Sequence, residues 1–264
     1  MSTLDFVLTT EPTSDRTFRL GIPEGWEQGR STFGGLVVGG MVRTMSSALE
    51  DKTRSLRSLN AELVGSVGEG EAHLNLRTLR EGNAVTALAV ELVQGGQLMA
   101  HAVGIFGQAR AFRETWRDLT QPVRRPWREA DVAEMDAAFA PRFTKHFEYR
   151  PILGAPFGGG APSTEGWVRP RAIAEIRDAA YIAALADAWW LAAMAKLTAP
   201  RPASTLCFSL DLHSPIDTLA SDAPLYHRGY VSALSDGYAT EVRELWGEDG
   251  RLVCINRQLV VIIK

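Results

Sequence analysis

Two short segments of the chain carry residues whose types and positions could perform acyl-transfer chemistry. The first is Phe33-Gly34-Gly35, which directly precedes a helical pattern that begins at Leu36. The backbone N–H groups of the two glycines are then among the unsatisfied donors of a helix N-terminus, where the macrodipole favours negative charge. Glycine also lets a substrate approach the backbone closely. The segment could therefore form an oxyanion hole, or the glycines could simply make the tight turn into the helix.

The second segment contains one acidic residue in an otherwise apolar helical pattern. Asp187 lies within the run from Arg177 to Lys196, on a face made of Ala, Leu, Ile and Trp. A carboxylate in such a position is costly unless it is paired, hydrogen-bonded or functional. Asp187 could activate water as a general base or attack directly as a nucleophile. The alternative is a helix carboxylate that caps a neighbouring loop.

The elements around these residues occur twice along the chain. The segment from Leu79 to Phe106 resembles the segment from Leu234 to Ile262: in both, a Gly-containing turn opens an alternating strand and a second apolar strand follows. Gly82 in the first copy corresponds to Gly237 in the second. Two copies are too few for a solenoid, so the pattern indicates a duplicated sheet unit.

Each copy has one apolar helix followed by a run of antiparallel strands, and the helices are predicted to start near Gly35 and near Arg177. We therefore predict an α+β fold, a double hotdog in which two antiparallel sheets, each wrapped around one long helix, form a continuous sheet. The predicted domains are residues 1–110, a connector at 111–142 with a short helix at Asp131–Phe139, and residues 143–264.

The two predicted helices differ in the chemistry that they carry. Aligning their starts places Val42 of the first opposite Asp187 of the second, whereas the second begins with Ala179-Ala180 instead of a glycine pair. One copy lacks the acid and the other lacks the glycines. We therefore predict one composite site per chain, where the start of the first helix faces Asp187, and no chemistry beside Val42.

Composition excludes several other classes of function. The net charge is −3 over 264 residues, which leaves no basic surface for nucleic acid. None of the five histidines lies in a serine or cysteine hydrolase motif, and the close pair Asp211 and His213 is more typical of a solvated strand than of a metal site. Cys207 and Cys254 lie in apolar runs that do not suggest a disulfide. We expect a cytoplasmic protein without a membrane span or signal peptide.

Four motifs together resemble those of a known family. They are FGGLVVGG at Phe33–Gly40, LREGN at Leu79–Asn83, DGRLV at Asp249–Val253, and Gln258 on the last strand. The chain is similar to hotdog-fold acyl-CoA thioesterases, specifically the double-hotdog type related to acyl-CoA thioesterase II. The resemblance implies a functional role for Gln258, an acyl-CoA substrate, no cofactor, and a homo-oligomer such as a dimer of double hotdogs.

The chain departs from the acyl-CoA thioesterase II pattern at one position. Where that pattern has a catalytic Asp at the start of a strand, the alignment places Cys207, with Asp211 nearby. Asp187 instead resembles the helix acid of phenylacetyl-CoA-type single-hotdog thioesterases, whose Leu-Ala-Asp motif matches Leu185–Asp187. The resemblance therefore implies either an acid that has moved from the strand to the helix or an activity that is weak or lost.

The sequence thus predicts a thioesterase that hydrolyses an acyl-CoA thioester at a composite site. Gly34 and Gly35 would polarise the thioester carbonyl, Asp187 would act as base or nucleophile, and Gln258 would orient the water or the carbonyl. Ser232 is a weaker candidate for a hydroxyl partner. One alternative is a non-catalytic acyl-CoA binding protein. A hotdog dehydratase is less favoured, because neither predicted helix carries a histidine.

Overall fold

The computed structural model describes residues 3–112, 114, 116–135 and 140–263. Its helices are α1 (Leu4–Val7), α2 (Gly34–Ala48), α3 (Ala179–Asp187) and α4 (Ala192–Lys196). Its strands are β1 (Thr10–Ser14), β2 (Thr17–Ile22), β3 (Glu27–Gln28), β4 (Ser31–Thr32), β5 (Ser55–Leu63), β6 (Gly70–Glu81), β7 (Val85–Gln94), β8 (Gln97–Gly107), β9 (Phe147–Leu153), β10 (Ser163–Pro170), β11 (Ala203–Leu212), β12 (Leu225–Ser235), β13 (Tyr238–Trp246) and β14 (Leu252–Ile262).

Twelve of these strands form one antiparallel sheet. The six strands of each half follow one another in equivalent order from the outer edge to the middle of the sheet. The order is β1-β2-β6-β7-β8-β5-β11-β14-β13-β12-β10-β9, and β5 of the first half pairs with β11 of the second in the middle. Each strand that the first half contributes to this sheet thus has a counterpart at the mirrored place in the second half. The predicted double hotdog with a continuous sheet is confirmed, and the predicted equivalent hairpins are β7–β8 and β13–β14.

The helices cover the inner face of this sheet and pack on each other. Helix α2 contacts β5 to β8, and α3 contacts β13 and β14. Helix α2 is buried over most of its length because both the sheet and α3 enclose it. Gly39 allows close packing, since a Cβ there would lie 2.7 Å from Cδ2 of Leu8. The helices start at Gly34 and Ala179, within two residues of the predicted positions.

The second helix is shorter than the predicted run from Arg177 to Lys196. Helix α3 ends at Asp187, and α4 begins four residues after Ala188, the C-cap of α3. Two contacts stabilise the break: Trp189 stacks on His227 with ring centroids 5.0 Å apart, and a Glu241 carboxylate oxygen accepts the N–H of Ala192 at 2.7 Å. Asp187 is therefore the last residue of its helix rather than a mid-helix residue.

The residues that directly follow the connector pack against the segment that leads into α2. The side chain of Phe143 stacks on Phe33 at 4.2 Å between ring centroids, and His146 stacks on Trp26 at 4.0 Å. These contacts position the start of α2 against the second half. Within the predicted connector helix at Asp131–Phe139, residues 131–135 are not helical and the remainder lies outside the described residues. No described helix is long and apolar enough to cross a membrane.

Candidate active site

A pocket of about 340 Å³ lies between the two halves of the chain. Its walls are the β3–β4 ribbon, the start of α2, the segment that follows β5, and the first residues of β11. Asp187, at the end of α3, completes the wall. Residues from both halves therefore line this pocket.

The two oxygens of the Asp187 carboxylate have different surroundings. One is held by neighbouring side chains, and the other faces the start of α2. Oδ1 accepts a hydrogen bond from Nε2 of Gln258 at 2.9 Å and lies 3.5 Å from Nη1 of Arg243. Oδ2 lies toward Gly34, since a Cβ added at that glycine would be 2.7 Å from it. The backbone N–H of Gly35 is close enough to favour the charged form of the carboxylate. Asp187 is nevertheless in the pocket wall, with 9% of its surface exposed.

A chain of hydrogen bonds fixes the orientation of the Gln258 amide. Asn256 donates through Nδ2 to the carbonyl of Ser209 at 2.7 Å, so its Oδ1 is left to accept from Nε2 of Gln258 at 2.9 Å. The other hydrogen of that nitrogen goes to Asp187. Oε1 of Gln258 accepts from the hydroxyl of Thr205 at 2.9 Å. The amide therefore has partners on both ends, and it links Asp187 to Thr205.

Thr205 is the site residue that the sequence reasoning missed. In a regular β11, it would share the outward face with Cys207 and Asp211, opposite the buried Phe208 and Leu210. A β-bulge interrupts the pairing of β11 with β14 between Thr205 and Cys207. Bulges re-aim side chains next to active sites. The bulge therefore lets Thr205 reach Gln258, and the alternation pattern of the sequence contains no signal for it.

Burial dominates the ionisation of Asp187. Removal from water raises the pKa of this carboxyl above its usual range, while the Arg243 guanidinium, the Gln258 amide and the Gly35 N–H each lower it. A carboxylate with a raised pKa is a stronger base than an exposed one. This environment suits a group that must take a proton from water.

The other residues singled out from the sequence lie apart from this pocket. Ser232 is exposed on β12, and its hydroxyl donates to the carbonyl of Thr240 at 3.2 Å. Three strand spacings separate β12 from β11, so Ser232 is not the hydroxyl partner in this arrangement. Cys207 is exposed on the outer side of β11. Asp187, at the end of α3, lines the pocket, whereas Cys207 does not.

The start of α3, which mirrors the start of α2, is already occupied. The Asp178 side chain caps α3 by accepting from the N–H groups of Ala180 and Tyr181 at 3.0 and 3.1 Å. Arg43 pairs with the same carboxylate at 3.0 Å. Val42, the counterpart of Asp187, is fully buried. Among the described residues, no group of three or more potential metal ligands comes together.

Solved structures with the same architecture come from several bacteria. A conserved protein of unknown function with a hotdog fold from Alicyclobacillus acidocaldarius is 19% identical, with a TM-score of 0.91 over 100% of this chain and 99% of its own. The acyl-CoA thioesterase II TesB2 of Mycobacterium marinum is 16% identical, with a TM-score of 0.80 over 98% of each chain. At these identities the likeness establishes the shared fold.

Family-level sequence comparison covers both halves separately. Residues 22–107 match the model of the acyl-CoA thioesterase N-terminal domain, and residues 120–262 match that of the acyl-CoA thioesterase C-terminal domain. No individual curated protein is significantly similar in sequence. Because the two matches follow each other in order and span most of the chain, the protein belongs to the acyl-CoA thioesterase family.

Proposed function

We propose that the protein hydrolyses an acyl-CoA thioester to the free acid and CoA at the pocket between α2 and α3. The observation that carries this proposal is the hydrogen-bonded chain Asp187–Gln258–Thr205, which ends at a pocket beside a helix start whose N-cap side chain makes no capping bond. Membership of the acyl-CoA thioesterase family supports the substrate class. One site per chain is expected, because α3 carries Asp187 whereas α2 has Val42 at the equivalent position.

Asp187 acts as the general base in this proposal. Its Oδ1 is anchored by Gln258, so Oδ2 is the oxygen available to take a proton from water. The water oxygen then forms a bond to the thioester carbonyl carbon. Collapse of the tetrahedral intermediate breaks the carbon–sulfur bond, and the CoA sulfur leaves and receives the proton from Asp187. No bound cofactor is needed for these steps.

The backbone at the start of α2 has two separate roles in the proposal. Phe33, the N-cap, makes no side-chain capping bond, so the N–H of Gly34 is a candidate donor to the developing oxyanion. The Gly35 N–H lowers the pKa of Asp187 and so favours the ionised form of the base. Gln258 and Thr205 fix the carboxylate and orient the attacking water. The proposal therefore takes Gly34 as the oxyanion donor and Gly35 as a group that favours the charged base.

Replacement of the acid tests the proposal. Asp187→Asn should lower kcat by about 10²- to 10⁴-fold, since that is the usual contribution of a general base. Asp211→Asn is the matched control, because Asp211 is an exposed acid on β11 outside the pocket and its loss should leave hydrolysis unchanged. An active Asp187→Asn variant would contradict the proposal. Wild-type protein that binds acyl-CoA without hydrolysing it would favour the non-catalytic binding function.

A single turnover in ¹⁸O-labelled water distinguishes the base from a nucleophile. With Asp187 as base, the first molecule of product acid carries the label, because the oxygen comes from water. With Asp187 as nucleophile, its oxygen displaces the CoA sulfur and forms an acyl-aspartyl anhydride. Hydrolysis of that anhydride at the Asp187 carbonyl leaves the first product unlabelled and places the label on Asp187. An unlabelled first product at substoichiometric substrate, measured by mass spectrometry, therefore identifies Asp187 as the nucleophile.

A further inference from the structure

Behind Asp187 lies a second pair of charged residues that the proposed chemistry does not use. Arg243 and Glu241 are both on β13 and are 1% and 0% exposed. Nε of Arg243 donates to Oε1 of Glu241 at 2.7 Å, and Nη1 lies 3.5 Å from Oδ1 of Asp187. One guanidinium therefore serves two carboxylates away from solvent. Such an arrangement is costly to bury and adds little to the net free energy of folding. Stability alone therefore does not explain its presence.

We infer that Arg243 is a positioning residue, shared between Glu241 and Asp187, that keeps Asp187 ionised and directs its Oδ2 at the pocket. The inference rests on the proposed role of Asp187 as general base. Arg243 is too deeply buried to contact a substrate in the pocket, so it acts through Asp187 alone. Glu241 competes with Asp187 for the same charge and thereby limits how strongly Arg243 stabilises the base.

The geometry at the end of α3 supports this role. Besides its contact with Asp187, Nη1 of Arg243 donates to the carbonyl of Ala186 at 3.1 Å, and Ala186 immediately precedes the acid. Glu241 in turn accepts the N–H of Ala192 at the first residue of α4. The pair thus bridges the break between the two helices. The position of the Asp187 carboxylate is set by a side chain from the sheet as well as by its own helix.

Two other titratable groups near Asp187, Tyr149 and His227, stay neutral around neutral pH. Burial and the nearby Asp187 raise the pKa of Tyr149 well above its usual value. Burial and Arg243 lower the pKa of His227 well below its usual value. Burial also raises the pKa of Glu241, while Arg243 opposes that effect. The charges that control Asp187 in this range therefore come from Arg243 and Glu241.

The inference predicts shifts of opposite sign in the pH profile of kcat/KM. Arg243→Gln removes the positive charge and therefore raises the pKa of Asp187. The acidic limb of the profile, where Asp187 loses its proton, then moves to higher pH. Activity at pH 6 falls by about tenfold or more and recovers partly at high pH. Glu241→Gln removes the competing negative charge and moves the limb to lower pH. Arg243→Lys keeps the charge and should restore much of the wild-type profile.

A structural ion pair elsewhere on the same strands provides the control. Arg228 on β12 pairs with the buried Glu244 of β13 at 2.6 Å, outside the pocket. Arg228→Gln should leave the acidic limb where it is in the wild type, even if it lowers stability. A limb that does not move in Arg243→Gln would overturn the inference. If that variant does not fold, an unmoved limb in Glu241→Gln overturns it instead.

Failure of the inference is distinguishable from failure of the proposed function. If Asp187→Asn is inactive and the Arg243 and Glu241 variants have the wild-type limb, the base is correct and the inference is wrong. If Asp187→Asn retains activity, the proposed base is wrong and the inference falls with it. Circular dichroism and thermal unfolding of every variant separate loss of the fold from loss of activity.

Discussion

The starts of α2 and α3 lie at mirrored places against the sheet, but the carboxylate near each start comes from a different part of the chain. At the start of α3, the carboxylate comes from Asp178 directly before the helix, and Arg43 neutralises it. At the start of α2, the N-cap is Phe33, and the carboxylate comes from Asp187 at the end of the opposite helix. One helix start is closed by a local cap, whereas the other is open toward a pocket.

This difference indicates how a duplicated unit can divide structure and chemistry. A local Asp cap stabilises a helix and uses its N–H groups, so nothing is left to polarise a ligand. A remote carboxylate on the opposite side leaves room between helix and acid. In the proposed mechanism the first half supplies the donor and the second half supplies the base, while Val42 at the mirrored position is fully buried.

Exchanging the small residues at the two helix starts should break this comparison most strongly. Gly34→Ala places a Cβ 2.7 Å from Oδ2 of Asp187, so the carboxylate must move. A displacement of about 1 Å in a catalytic group can cost about 10²-fold in rate, and we expect a loss of that order in kcat. Ala179→Gly, the mirrored control, should leave steady-state hydrolysis unchanged. Full activity in Gly34→Ala would contradict the assigned geometry.

The two hydroxyl candidates provide a second, smaller test. Thr205→Val keeps the shape of the side chain but removes the donor to Gln258, and a lost hydrogen bond of about 1.5 kcal/mol corresponds to about tenfold in kcat/KM. Ser232→Ala removes an exposed hydroxyl outside the pocket and should change neither rate nor stability. Kinetics on both variants check this, and the opposite ranking would return Ser232 to the site.

Loss of the Asp178 cap at the start of α3 should affect stability rather than the rate of hydrolysis. Asp178→Ala removes the cap of α3 and leaves Arg43 without its partner, so the free energy of unfolding should fall by about 1–2 kcal/mol. Activity per folded molecule should be unchanged, because Asp178 is not part of the pocket wall. Chemical denaturation and kinetics measure the two effects separately. A rate loss without a stability loss would mean that the second helix start also takes part in chemistry.

Much of the fold was predictable because it follows from patterns along the chain. The paired Gly turns marked by Gly82 and Gly237 identified the equivalent hairpins, and the apolar helical runs identified α2 and the start of α3. The length of the second helix was not predictable, because the break after Asp187 depends on Glu241 and His227, which lie on distant strands. Local propensity favours helix through this segment, and tertiary contacts override it.

The sequence by itself determined the duplication, the glycine pair at one helix start and the acid on the other helix, because these depend only on residue types and spacing. The tertiary structure decided which groups meet. It brought Thr205 to Gln258 through a bulge, left Ser232 outside the pocket, and placed Arg243 behind Asp187. Bulges, helix breaks and buried charge pairs result from contacts between strands far apart in the chain, and no local pattern records those contacts.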